Sequence, residues 1–581
     1  MTFFFRFATF FSLLLCLKAF GLESFAELSS AQQISWTKLM HFSLVNGRYR
    51  PQIQSAAFYL LENGKESLEE EFAENFRKFR SESDYICKFP ARAVFLSVLT
   101  SQPAKVCLAV EEWKSKVSAA SISLVYVSQY VSNPASVFGH TFLLVNSDPR
   151  PAYLNLTVNN AADIPKDTSG LDYMILGLGG GFKSENYLEN LAVKAQEYSN
   201  IENRDMWVYD LDLSSAEVNQ LLNHLWELHN NSKENYYFLT GNCSSYLMNM
   251  LAAVLPDIEF QNPHAAYFLP VSSTKKIHNR VRTVKYFPAL RSQVSQKLAQ
   301  TTAGDKKKFQ IFLNEPDFLK PEEESAEYLE TIIFYYDFLK SKKGGVLGEA
   351  ESHIYNQALL ERSHKGQIVE PPAPPLPARP DFSYEPIRAA VNLISNRMST
   401  FSFAPFFHGS LQKHNGFIPF SEVVVLDSEL TLLESRPRLV KETFLALSNF
   451  VPSLAFDNQY SWKFALSLQN QNTCFDCYQM HFPVKLGKSF EALQGSLFYV
   501  LAGVDISSTY IPVKAEVGMM AEYGSFRYGV ACNMARNIDS QVDTDVTLRL
   551  NREISTNSDI EVLLKWTEVE VSSHTKLSYF F

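Results

Sequence analysis

YYFLTGNCSSYLMNMLAAVLP, residues 236–256, is a turn that becomes a helix at a cysteine. Cys243 follows Gly241-Asn242, and Leu247, Met250, Leu251, Val254 and Leu255 then share one helical face until Pro256 ends it. A cysteine in the first turn meets the unpaired N–H groups and the positive end of the helix dipole, which favour the nucleophilic thiolate. The plain alternative is a small apolar residue that begins a buried face.

A second stretch weighs against that alternative. SISLVYVSQYVSNPASVFGHTFLLV (121–145) reads as two short strands, 122–129 and 138–145, joined by the turn-like 132–136. His140, Phe142 and Leu144 share a face of the second strand. A histidine there is ordinarily a satisfied core residue. Together, however, a cysteine at a helix start and a histidine on a core strand are the sulfur and the base that thiol catalysis needs.

Five segments carry a family resemblance: SNPASVFGHTFLLV (132–145), TVNNAAD (157–163), GLGGGF (177–182), ENRDMWVYDLDL (202–213) and YYFLTGNCSSYL (236–247). The set resembles the Lnb N-terminal periplasmic domain family, whose characterised members are lipoprotein N-acyltransferases acting through a Cys and a His. The order, His first and Cys later at a helix start, is also that of permuted NlpC/P60-like thiol enzymes. The resemblance implies an α+β, permuted papain-like domain with helical additions. In it Cys243 matches the nucleophile and His140 the base, and Asn159 is the candidate that orients the imidazole. A phospholipid acyl donor and a lipoprotein amine acceptor are implied as partners at a bacterial membrane, with no cofactor and no metal. The same resemblance pairs Cys87 with Cys107 around the CKFPAR element at 87–92.

The 581 residues suggest two or three domains, and 46% hydrophobic with 20% charged residues is ordinary globular composition. A net charge of −9, without a basic cluster carrying interleaved aromatics, argues against nucleic-acid binding. Residues 1–21 read as a signal peptide, with Arg6, an apolar run through Leu17 and the small-residue ending Ala19-Phe20-Gly21. Cys16 follows three leucines and makes no lipoprotein box. Export makes pairing the first expectation for the remaining cysteines, six of the seven once Cys16 is removed. Cys474-Phe-Asp-Cys477 reads as a small disulfide loop or, less simply, a metal half-site. If those four pair, Cys243 and Cys532 are left as free thiols.

Residues 22–115 are read as a helical N-terminal region, in which ESLEEEFAENFRKFRSE (66–82) presents a solvated charged face. The Cys/His domain is expected over 116–260. Gly177, Gly179, Gly180 and Gly181 lack a phosphate-loop ending and read as a loop passing close over the site, or as a source of N–H donors for an oxyanion. Residues 214–229 form an amphipathic helix capped by Ser214 or Ser215. Residues 261–369 are read as helical, with Ile332, Phe334, Tyr335 and Phe338 as packing residues.

EPPAPPLPARP (370–380) is a polyproline linker. After it, over 381–581, the period becomes two: Trp462, Phe464, Leu466 and Leu468 alternate with Lys463, Ala465 and Ser467, and such segments recur to KLSYFF at 576–581. Alternating strands with aromatics are the outer-membrane barrel signature, and about 190 residues suffice for roughly ten to twelve strands. A soluble antiparallel sheet alternates as well. Three functional readings stay open: an exported thiol acyltransferase held at the outer membrane, an NlpC/P60-like cell-wall amidase or peptidase, and a non-catalytic outer-membrane barrel protein. Apolar walls at the site favour lipid, a polar cleft favours a peptide, and Phe138, Phe142, Phe182 and Phe238 lean towards lipid.

Overall fold

The structure, a computed structural model, describes residues 24–581 apart from 131–135, 260–266, 369–375, 396–398, 434–435, 471–476, 493–494, 508–510 and 537–541. The signal peptide, most of the turn at 132–136, the front of the proline-rich linker and Cys474 therefore lie outside the described residues. Two compact units emerge. One holds the residues up to Tyr126 with His140–Ala195 and Trp207–Lys285; the other holds Val127–Gly139, Gln196–Met206 and Tyr286–Phe581.

The first unit is α+β. Its sheet uses β1 (Ala119–Val127), β2 (His140–Ser147), β3 (Leu156–Asp163), β4 (Phe182–Asn190), β5 (Met206–Leu211), β6 (Asn235–Tyr236) and β7 (Val281–Phe287), in the order β6-β4-β3-β2-β1-β5-β7. The pairs β2–β3, β3–β4 and β4–β6 are antiparallel. The strands of residues 122–129 and 138–145 thus exist, displaced by about two residues. Helix α1 (Ser30–Leu39), α2 (Ser215–Asn231) and α3 (Cys243–Val254) pack together, and α3 also lies on β2 and β3. Ser214 caps α2 in a capping box with Glu217. Leu247, Leu251 and Leu255 are fully buried, as the face predicted from their spacing requires.

The N-terminal region departs from an all-helical reading. A hairpin, Phe42–Val45 with Arg48–Pro51, follows α1. Gly47, with φ of 74°, supplies the left-handed turn after Asn46. Below it Arg92 is wholly buried, between Glu227 at 3.5 Å and Glu71 at 3.9 Å, with the Phe58 and Phe89 rings on its guanidinium at 4.3 and 4.0 Å. Buried charge persists where it is paired and stacked. The Cys87–Cys107 disulfide is present.

In the second unit, α4 (Leu290–Gln300), α5 (Ala303–Asn314), α6 (Ala326–Lys342) and α7 (Glu349–His364) are followed by the barrel. Ile332, Tyr336, Phe309 and Phe312 form the helices' core, with Tyr335 packed against it. The barrel strands are β8 (Arg388–Ile394), β9 (Thr400–Ala404), β10 (Glu422–Leu433), β11 (Arg436–Asn449), β12 (Ser461–Asn470), β13 (Tyr478–Glu491), β14 (Ser496–Ser507), β15 (Val513–Tyr523), β16 (Phe526–Arg536), β17 (Val542–Ser555), β18 (Ser558–Thr567) and β19 (Val571–Phe580).

Each strand from β10 to β19 pairs antiparallel with the next, β8 pairs with both β9 and β19, and β9 pairs with β10. Twelve strands therefore form a closed ring. Phe406–His408 continues β9 along the same partner, after a break at Pro405.

The barrel's two faces decide its solvent. Along β15, Val513 and Tyr523 point outward, 59% and 82% exposed, whereas Glu516 is 5% exposed. On β17 Val546, Leu550 and Ile554 are exposed while Asn551 is buried, and on β19 Leu577 and Tyr579 are exposed while Ser578 and Phe580 are buried. Apolar residues outside and polar ones inside is the reverse of a soluble sandwich, and is the arrangement of a barrel in lipid. Strands of 10 to 14 residues over β11–β19 are long enough to cross. No helix among the described residues is long and apolar enough to do so.

Candidate active site

Asn242 sets the start of α3. Its side-chain oxygen accepts the N–H groups of Ser244 at 3.0 Å and Ser245 at 3.2 Å, and its own N–H donates to the Ser245 hydroxyl at 2.8 Å. Its amide nitrogen donates to the carbonyls of Phe238 at 3.1 Å and Phe268 at 2.7 Å. An aspartate would cap the helix but lack those two donors, so the asparagine ties the turn before the cysteine to a distant segment. Cys243 is thus the first helical residue, 2% exposed, and its N–H donates to the Tyr236 hydroxyl at 3.3 Å.

The structure brings Cys243, His140 and Asn159 together. His140 opens β2 and is hydrogen-bonded to the thiol, while its Nε2 lies 2.6 Å from Asn159 Oδ1. The carbonyl oxygen can only accept, so Nε2 carries a proton and Nδ1 is the nitrogen left for the sulfur. Asn159 is itself 2% exposed on β3, held where it can set both tautomer and ring direction. Thr141, next to the histidine and fully buried, donates its hydroxyl to Cys243 Sγ at 3.9 Å.

These neighbours decide the thiol's ionisation. Burial pushes the Cys243 thiol up, but the charge and hydrogen bond of His140, with the N–H and hydroxyl of Thr141, bring it down to about 7. A buried structural cysteine has no such partners and is held protonated. The arrangement can therefore generate a thiolate near neutral pH, beside a base and a backbone N–H.

The glycine-rich segment is not a loop. Gly170–Gly179 is a helix capped by Ser169 and ended by Gly180 in a left-handed conformation, φ 74°. A Cβ on Gly177 would sit 2.2 Å from the Phe238 ring, and one on Gly180 would sit 2.1 Å from the Tyr237 ring. The helix end lies against residues 237–238, just before the Cys243 turn. Tyr173, Phe182 and Phe238 pack on one another there. Phe138 does not join them; it belongs to the second unit, 4.8 Å from Phe406.

A cavity of about 190 Å³ touches the first turns of α3, lined by Asn160, Ser184, Glu234, Asn242, Ser245 and Asn249 among others. Its walls combine amides, hydroxyls and the Glu234 carboxylate with His41, Ile53 and the rings of Tyr237 and Tyr246. Glu234 accepts the N–H groups of Gln54 at 2.8 Å and Ser55 at 3.3 Å, and burial raises its pKa against those bonds.

Thr141 and Tyr236 had no role in the sequence reading. Thr141 adjoins His140, but a threonine on a strand carries no signal of its own; Tyr236 opens the quoted cysteine stretch, and only folding of that turn brings its hydroxyl to the Cys243 N–H. Among the other thiols, Cys532 is free, on the outward side of β16, and Cys477 is disulfide-bonded. Among the described residues no cluster of metal-binding side chains occurs.

Comparison with known families agrees with the motifs. Residues 109–280 match the Lnb N-terminal periplasmic domain. Residues 28–98 and 383–581 match two domains of unknown function, DUF7843 and DUF7840. No curated protein matches the chain. Among solved structures, the KdgM porin (8% identity, TM-score 0.24) covers 34% of this chain and 98% of its own. The NanC porin (9%, 0.24) covers 34% and 100%, and Omp33 of Acinetobacter baumannii (8%, 0.22) covers 34% and 99%. Scores this low carry no argument; the barrel stands on its closed pairing and its inverted faces.

Proposed function

We propose that this protein is an exported, cysteine-dependent acyltransferase that forms an acyl-Cys243 thioester from a phospholipid and passes the acyl group to an amine, the N-terminus of a lipoprotein. The observation that carries this reading is the chain Cys243–His140–Asn159, inside a segment matching the Lnb N-terminal periplasmic domain. A permuted papain-like arrangement is the finer fold we assign to that segment.

The steps follow from the atoms. His140 Nδ1 takes the thiol proton, and the sulfur attacks the ester carbonyl of the lipid. We assign the Cys243 N–H and the Tyr236 hydroxyl, which meet at 3.3 Å beside the sulfur, as the donors to the developing oxyanion. The lysophospholipid leaves with the proton from His140. The amine then attacks the thioester, His140 accepts its proton, and the amide departs as the thiol is restored. Asn159 keeps the imidazole in one tautomer throughout. A barrel in the outer membrane keeps the enzyme at a lipid surface.

The cavity beside α3, with amides and the Glu234 carboxylate set among aromatic and aliphatic side chains, suits a peptide-like group. It fits an acceptor peptide, and it is also the specific observation that favours a second reading, an NlpC/P60-like cell-wall hydrolase in which water resolves the thioester. Intact-mass spectrometry of the full chain in phospholipid vesicles, beside Cys243→Ala, separates the readings. A hydroxylamine-sensitive gain of one acyl chain, absent from the variant, is the expected result. No gain, with a free thiol and a folded protein, would leave the hydrolase or a non-catalytic barrel.

A further inference from the structure

The barrel's interior holds a piece of the chain. Residues 409–421, between Phe406–His408 and β10, leave the wall and turn inward. Leu411 is fully buried, in one cluster with Leu497, Leu501 and Met520 of β14 and β15. Its side chain lies against Gly529 of β16, where a Cβ would stand 3.7 Å from it.

Polar contacts continue around the wall. Ser410 accepts from Arg549 of β17 at 3.3 Å, and Gln412 donates to Asp559 of β18 at 2.5 Å. Lys413 pairs with Glu553 of β17 at 2.9 Å, and His414 lies 3.8 Å from Glu522 of β15. One short segment therefore touches five consecutive strands, β14 to β18, from inside. On the side from which it departs, Phe417 stacks on His408 at 4.0 Å.

A segment anchored at one point of a ring and bonded to the wall over five further strands crosses the lumen. It is also fixed: removing it would leave Glu553 and the buried Asp559 without these partners, a costly state in a confined interior. Farther along, Lys463 of β12 and Lys485 of β13 both bind Glu516 of β15, at 2.6 and 2.7 Å, and Lys514 binds Asp505 of the adjacent β14 at 2.6 Å, lining the inner wall with ion pairs. Strand number alone does not settle conduction. Eight strands leave room only for side chains and sixteen leave an aqueous channel, and twelve lies between. The inward segment settles it.

We infer that the barrel is a closed membrane anchor that passes no solutes, with residues 409–421 as its built-in plug. This is independent of the thiol chemistry and stands if that reading fails.

The test is conductance of the full-length protein in planar bilayers, with insertion verified by the gel-mobility shift between unheated and boiled samples. Inserted wild-type protein is expected to give no conductance steps, and a variant with residues 410–419 replaced by a short Gly-Ser linker is expected to give steady ones. Steps from the wild type would overturn the inference, and an inserted but silent linker variant would overturn the assignment of the plug. Should the linker variant not insert, a Leu411→Cys variant in a background with both free thiols removed, Cys243→Ala and Cys532→Ser, replaces it. Slow reaction with a bulky water-soluble maleimide, against fast reaction after boiling, is expected; equal rates would refute a plugged lumen.

Discussion

Replacing His140 with alanine tests the site most directly, because its charge and hydrogen bond are the leading causes that lower the thiol. In the wild type the thiol sits near 7, brought there against burial by the His140 charge and hydrogen bond first and by Thr141 second. Without His140 the groups that lower the thiol most are gone and burial opposes only the Thr141 donors, so the expected outcome is a rise toward the ordinary value of 9.0. Two units correspond to ~2.7 kcal/mol. At pH 7 the thiolate falls from about half of the molecules to about one in a hundred, so alkylation should slow ~50-fold. The sign is that of a depressed acid: the thiolate is present above about pH 7 in the wild type and only above about pH 9 in the variant. The assay is iodoacetamide alkylation against pH, read by mass at Cys243, with Cys532→Ser to remove the other free thiol. A midpoint in His140→Ala within half a unit of the wild type's would refute the pairing of thiol and imidazole.

Three other outcomes follow from the same geometry. Thr141→Val removes the hydroxyl donated to Sγ at 3.9 Å; so long a bond is at the weak end, and the alkylation midpoint should rise by about half a unit, ~0.7 kcal/mol. Tyr236→Phe, which strips the partner of the Cys243 N–H, should lower acyl-enzyme formation by about 10²-fold while leaving that midpoint in place. Gly177→Ala drives a methyl to 2.2 Å from the Phe238 ring and should destabilise the first unit by ~1–3 kcal/mol, seen as a lower thermal midpoint with the disulfide intact.

Much of this was legible because it is local or periodic. A period-two pattern with aromatics announced the barrel strands, and the alternation in 513–523 and 526–534 falls on β15 and β16 nearly residue for residue. Which solvent the apolar side meets was not legible, since alternation is the same in either medium; the exposure of Tyr523 against the burial of Glu516 decides it. Cys243 could be placed at a helix start because the Gly241-Asn242 turn precedes an apolar face at helical spacing. Thr141 and Tyr236 could not be assigned, because their roles arise from tertiary approach alone. The glycine run misled for a related reason: glycine at 177 and 180 serves contact with Phe238 and Tyr237, and such contact leaves no mark in local propensity. The hairpin after α1 was lost inside a charged, helix-rich region, where only Asn46-Gly47 announces a turn.

The join between β8 and β19 sets the order in which the barrel can be assembled. Every pairing from β10 to β19 connects neighbours in sequence and can form as a hairpin. The seam alone brings together Arg388–Ile394 and Val571–Phe580, and closing a loop of about 180 residues carries an entropic cost of roughly 5 kcal/mol beyond a constant. Until that happens β8 and β19 are open edges that can template pairing with another chain. Contacts so distant in sequence also form slowly. Assembly is therefore limited by one late event, and the interval before it is when the chain most needs an escort against self-association.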